Sequence, residues 1–222
     1  MTFSICAAVD GRYAAAVASK SIAVGSTVAF VSPKGAICTQ ASTNTPLGVR
    51  ALRSLEEGSS LAESVPSLLE SDPHDDSRQV HGVDGETTVA ITGGDCVPWA
   101  GGQQGDGYTV AGNMLEEESV LTAMVERFEA TAGESKPLDE RVLEVLRAGE
   151  DAGGDKRREH AQSAALSVYD PDDPRLAHDL RVDEHDDAVA ELERIHEAAS
   201  ALDLEWDERS PESNRQRHPD RS

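Results

Sequence analysis

The stretch Thr2-Phe3-Ser4-Ile5-Cys6-Ala7-Ala8-Val9-Asp10-Gly11-Arg12-Tyr13-Ala14-Ala15-Ala16-Val17-Ala18-Ser19-Lys20 reads as two strands joined through an Asp-Gly turn. Its second half, the near-continuous run of small apolar residues from Ala14 to Ala18, offers no polar face to water. Such a strand is expected to be covered on both sides.

Working outward, Thr27 to Val31 and Ala36 to Gln40 form a further strand pair about the turn residues Pro33-Lys34-Gly35. The period changes after Pro46: Leu47, Ala51, Leu52 and Leu55 share a helical face that Gly58 ends. Leu61, Val65, Leu68 and Leu69 predict a second helix, capped by Ser59 or Ser60 and weakened at Pro66. Arg78 to Val83 and Thr87 to Thr92 make another hairpin about Asp84-Gly85, a glycine-rich loop runs from Gly93 to Gly107, and Tyr108 to Met114 returns as a strand. Two helices are expected over 116–132 and 138–148, then strands over 161–169 and 180–182, then a helix from Asp186 or Asp187. One domain over residues 1–204 is predicted, with a polar, disordered tail at 205–222. The pattern reads as α+β.

The 42 acidic residues against 20 basic ones give a formal net charge of −22. That surface repels phosphate backbones and argues against a nucleic-acid partner. Acid excess with only four lysines also reads as adaptation to the high-salt cytoplasm of a halophilic archaeon, where screening suppresses self-repulsion. Cys6, Cys38 and Cys96 are too widely spaced for a zinc motif and odd in number, so no disulfide framework is expected. No basic leader precedes an apolar run and no stretch is apolar enough to span a bilayer, so the expectation is a cytoplasmic protein without a membrane partner.

Function turns on Thr2. It follows Met1, and a side chain this small permits removal of the initiator methionine, which would leave a hydroxyl and a free α-amine on one residue. The amine, with an ordinary pKa of roughly 7.7 to 8.0, can act as base toward the hydroxyl.

Thr2-Phe3-Ser4-Ile5, Ala16-Val17-Ala18-Ser19-Lys20, Thr39-Gln40-Ala41 with Asn44, and Cys96-Val97-Pro98-Trp99-Ala100-Gly101 occur in this order. Gln79-Val80, Val83-Asp84, Gly112-Asn113-Met114-Leu115, Gly153-Gly154-Asp155, Gln162-Ser163-Ala164-Ala165 and Asp179-Leu180-Arg181-Val182-Asp183 with His185 accompany them. Together they resemble a family known as domain of unknown function ten-twenty-eight, placed among the N-terminal-nucleophile (Ntn) hydrolases. The resemblance covers roughly residues 2–203 and implies a four-layer αββα sandwich, two antiparallel sheets between helices, with Thr at the mature N-terminus. It departs between Asp155 and Gln162, where Lys156-Arg157-Arg158-Glu159-His160-Ala161 is longer than the family's connection and lacks its glycine.

Acyl transfer from Thr2 needs a neighbour that keeps the amine neutral and donors for an oxyanion. Pairing about the first hairpin brings Lys20 near Thr2, where an ammonium would depress the amine pKa. Asn113 and the backbone amides of Gly93 and Gly94 are the oxyanion candidates, and Ser19, Gln40, Asn44 and Ser163 are further binding candidates. The acidic run Asp183-Glu184-His185-Asp186-Asp187 reads as helix capping; no metal and no cofactor are expected. The leading reading is a hydrolase for a small amide or peptide bond, the alternative a catalytically silent binder of a small metabolite; self-association into a homo-oligomer is compatible with both.

Overall fold

The computed structural model describes residues 1–157, 159–172 and 176–209, with the backbone alone for 176, 177 and 202–209. Strands β1 (Thr2–Val9) and β2 (Arg12–Ser19) form the expected hairpin, in register from Thr2↔Ser19 to Val9↔Arg12. Asp10 and Gly11 both adopt positive φ, 51° and 76°. A two-residue turn of that kind matches the natural twist of the strands it joins.

The hairpin is the middle of a six-stranded antiparallel sheet. β8 (Tyr108–Asn113) flanks β1, and β9 (Ser163–Tyr169) flanks β2. β7 (Gly101–Gly105) and β10 (Leu176–Val182) form the edges. A second sheet has the order β3 (Ala29–Ser32), β4 (Gly35–Ala41), β5 (Arg78–Asp84) and β6 (Thr88–Thr92). Helices α1 (Thr45–Glu56) and α2 (Leu61–Glu70) cover its outer face through Leu47, Ala51, Leu61 and Val65. α3 (Ser119–Ala130), α4 (Leu138–Asp151) and α5 (Ala188–Arg209) cover the six-stranded sheet through Leu121, Met124, Leu146 and Leu192. The result is the four-layer αββα sandwich.

Strand alternation sorts the side chains between layers. On β1, Phe3, Ile5 and Ala7 join the core under the helices, whereas Cys6 joins the core between the sheets. On β2, Ala14, Ala16 and Ala18 face the helices, and Ala15 and Val17 face the second sheet; all five are fully buried, as the sequence predicts. α4 packs tightly at Gly149, where a Cβ would meet Met124 and the Phe3 ring at 3.0–3.2 Å.

The local signals explain the helix starts. Asn44 caps α1 by accepting from the Leu47 amide, and Ser60 with Glu63 forms a complete capping box on α2. The glycine-rich segment differs from the expected loop, because Gly101–Gly105 pairs with β8 as an edge strand. Pairing needs only backbone, and a Cβ on Gly101 would lie 2.6 Å from the Trp99 ring, so glycine is what fits. β10 likewise begins at Leu176, ahead of the expected Leu180. Beyond Arg209 the predicted tail lies outside the described residues. Among the described residues no helix is long and apolar enough to cross a membrane.

Candidate active site

Thr2 opens β1, buried between Ser19 of β2 and Asn113 of β8, its partners in register. Its Oγ1 lies 3.0 Å from Ser19 Oγ. Ser19 Oγ donates its single proton to the Met1 carbonyl at 2.8 Å and accepts from the Ser21 amide at 3.1 Å. A hydroxyl has one proton to give, so Thr2 must be the donor to Ser19, which leaves the Thr2 lone pairs unclaimed by that bond. The Lys20 amide is a second donor to the Met1 carbonyl, at 3.2 Å.

Met1 is itself buried, with its amine 3.3 Å from Met114 Sδ. Burial pushes the terminal ammonium below its ordinary pKa; Asp155 opposes this, while Arg157, Lys156 and Lys20 reinforce it. Met114 holds φ at 54°, a left-handed backbone that costs a non-glycine residue on the order of 1–3 kcal/mol. The segment that departs from the family pattern packs here. Asp155 is fully buried, bridges to Leu115 and is bound by Arg157, and the Lys156 amide donates to the Met114 carbonyl at 3.1 Å.

Behind Thr2 the sandwich interior is polar. Asn113 Nδ2 donates to Gln79 Oε1 at 3.1 Å, and Gln40 Nε2 donates to the same oxygen at 2.9 Å. Ser4 Oγ donates to Gln40 Oε1 at 2.8 Å and also lies 2.7 Å from His81 Nε2. With the Ser4 proton on Gln40, His81 must donate through Nε2, and its Nδ1 then accepts from Thr109 Oγ1 at 2.8 Å. The directions close into one chain from Thr109 to Gln79, whose Nε2 has the carbonyls of Gly101 and Gly112 as acceptors at 3.0 and 2.8 Å. Deeper still, Cys6 and Cys38 stand 3.6 Å apart, and burial pushes the Cys6 thiol well up.

The geometry gathers some of the expected residues and disperses others. Ser19 touches Thr2, Asn113 flanks it, and Gln40 reaches Asn113 through Gln79. Lys20 follows Ser19, so its backbone rather than its side chain reaches Met1, and its Nζ pairs with Glu159 at 3.0 Å. Gly93 donates its amide to the Arg78 carbonyl at 2.9 Å, which engages the donor expected to serve an oxyanion; a Cβ on Gly94 would lie 3.9 Å from the Asp76 carboxylate. Asn44 is occupied as the α1 cap and as a donor to Asp72 at 2.7 Å. Ser163 stands one strand beyond Ser19 and bonds the Val24 amide and the Ser21 carbonyl. In the acidic run, Asp187 caps α5 at the Ala190 amide. Gln79, Ser4, His81 and Thr109 were not among the expected residues; period-two alternation from Thr2 and Asn113 is the signal that reaches Ser4 and Thr109, whereas Gln79 and His81 stand on the other sheet, beyond its reach.

The sequence profile of a family of unknown function, DUF1028, matches residues 2–192. A crystal structure of a protein from Silicibacter pomeroyi, assigned to that same family, is 31% identical, with a TM-score of 0.81 over 90% of this chain and 86% of that one. A Thiobacillus denitrificans protein named BPH (10% identity, TM-score 0.44, 78% of this chain and all of that one) is a distant neighbour. So is Anbu, an ancestral beta-subunit from Yersinia bercovieri (12%, 0.42, 94% and 98%). Neither of these two carries an argument at that likeness. No curated protein matches significantly.

Proposed function

Taking as premise that the chain belongs to the family of unknown function DUF1028, we propose that it is an N-terminal-nucleophile hydrolase of a small amide or peptide bond, with Thr2 as nucleophile once Met1 is removed. The observation that carries this reading is the pair of donors on the Met1 carbonyl. Ser19 Oγ and the Lys20 amide converge on an acyl oxygen bonded next to Thr2, and that carbonyl stands in for the acyl group of a bound substrate.

Loss of Met1 frees both donors and turns the Thr2 backbone nitrogen into an amine. In the proposed cycle the amine accepts the Thr2 hydroxyl proton as Oγ1 forms a bond to the substrate carbonyl carbon. The negative charge that develops on the carbonyl oxygen is held by the Ser19 and Lys20 donors, with Asn113 beside them. The amine then passes its proton to the departing nitrogen as the C–N bond breaks, leaving a Thr2 ester. Water, deprotonated by the same amine, hydrolyses that ester. Burial acts most strongly on the Met1 amine and favours its neutral form, with Arg157, Lys156 and Lys20 adding to it and Asp155 opposing; the Thr2 amine would inherit these surroundings once Met1 is gone.

Intact-mass measurement of the purified protein followed by a screen of small amides, with Thr2→Ala as control, tests the reading. Mass lacking Met1 and turnover abolished in Thr2→Ala are expected. Retained Met1 with no turnover would leave the silent metabolite-binding alternative, and turnover that survives the substitution would refute Thr2 as the nucleophile.

A further inference from the structure

Away from Thr2, three side chains from three elements converge. Asp139 lies in the first turn of α4, His178 on the edge strand β10 and His196 on α5. Asp139 Oδ2 is 2.5 Å from His196 Nε2 and 3.2 Å from His178 Nε2, and the two imidazole rings have centroids 4.7 Å apart. The three side chains are 9–15% exposed, enough to admit a solute and too little for a freely solvated ion pair. We infer that Asp139, His178 and His196 form a binding site for a divalent transition metal, zinc above all.

The donor set argues for the metal. Two imidazole nitrogens and one carboxylate oxygen suit a cation of borderline softness, and these atoms all lie within 4.8 Å of one another. Ligands about 2.0–2.1 Å from a tetrahedral zinc stand ~3.3 Å apart. The Asp139–His178 separation of 3.2 Å is already that value, and the Asp139–His196 contact of 2.5 Å needs to open by ~0.8 Å. Position favours a cation as well. The cleft on the His196 side, about 420 Å³, is lined by Glu140 and Glu197, and by Glu144 and Glu193, which Arg127, Lys136 and Arg147 pair. On the His178 side a cavity of about 450 Å³ touches Asp139 directly, which leaves room for a fourth ligand such as water or a small anion. Arg12, Lys136 and Arg141 line that cavity together with Asp10 and Asp170, and with Arg12 paired to Asp170 and Lys136 to Glu144 the balance suits water as the fourth ligand. Joining α4, β10 and α5, the ion would clamp the last helix to the sheet edge.

Chelator-stripped full-length protein titrated with Co²⁺ and Zn²⁺, read by cobalt d–d absorption and calorimetry, tests the site. One equivalent is expected to bind, with visible bands of a four- or five-coordinate site and a raised melting temperature. His178→Gln and His196→Gln keep a donor toward Asp139 while removing the imidazole; each, folded by circular dichroism, should weaken binding at least tenfold and abolish the bands. His160→Gln, which alters an exposed histidine outside the cluster, should bind as the wild type does. The inference is overturned if the stripped protein takes up no equivalent, so that the cluster binds protons only. It is equally overturned if both glutamine variants titrate like the wild type.

Discussion

The two faces of β1 differ as sharply as any two regions of the molecule. On one, Phe3, Ile5 and Ala7 are fully buried against α3 and α4 with no polar atom to satisfy. On the other, Thr2 and Ser4 look into a sandwich interior furnished with Ser19, Gln40, Gln79, His81, Thr109 and Asn113, all at or near zero exposure. The dry face holds the strand in place through area and packing. The polar face fixes side-chain directions, because each buried donor and acceptor there must find a partner. A nucleophile at the end of such a strand is held rigidly from one side and oriented from the other.

Substitutions can pull the two roles apart. Phe3→Ala, on the dry face, should cost about 3–5 kcal/mol of stability in urea unfolding, since it opens a cavity beneath α4. A cost under about 1 kcal/mol would show that the face is not packed as described. Ser19→Ala, on the polar face, should cost about 1–3 kcal/mol by orphaning the Thr2 hydroxyl and the Ser21 amide, and should slow acylation by about 10²–10³, the effect of losing one oxyanion donor. Gln79→Ala should destabilise by about 1–3 kcal/mol by orphaning Gln40 and Asn113, and should slow acylation only through the misplaced Asn113. Equal acylation rates in the Ser19 and Gln79 variants would erase the distinction between contact and support.

The smallest expected effect lies at the rim. The Arg78 guanidinium, with the His74 amide and Asn44, holds the buried Asp72 carboxyl well below the ordinary range against the opposing effect of burial. A depressed folded pKa stabilises the protein above the unfolded value of about 3.9, and that stability is lost as pH falls through the folded value. Asp72→Asn should therefore cost about 1–2 kcal/mol at pH 7, with the gap to wild type narrowing below about pH 4 in unfolding curves taken at pH 7, 5 and 3. A gap that widens on acidification would contradict the assignment.

Much of the dry architecture was legible in the sequence. Asp10-Gly11 set the first turn, the Ala14–Ala18 run foretold a strand covered on both sides, and a serine at 59 or 60 announced the start of α2, which Ser60 caps. Gly101–Gly105 was not legible as a strand, because its pairing rests on backbone alone and on the Trp99 ring that only glycine admits. At the site, Thr2, Ser19 and Asn113 could be gathered from hairpin logic and family resemblance. Gln79 and His81 could not: alternation tells which residues share a face, and only the stacking of the second sheet shows that their face meets Ser4 and Asn113. Lys20 follows Ser19, the residue in register with Thr2; its amide reaches the Met1 carbonyl and its side chain pairs with Glu159, a partner that hairpin logic does not supply.

Labelling by a β-lactone that acylates a terminal threonine, followed by intact mass on wild type and Thr2→Ala, tests the central claim most directly. The account predicts a wild-type mass lacking Met1 with one added acyl group, and no added mass on Thr2→Ala at equal concentration and time. An acyl group that appears on both proteins, or a wild type that keeps Met1 and stays unlabelled, would contradict it.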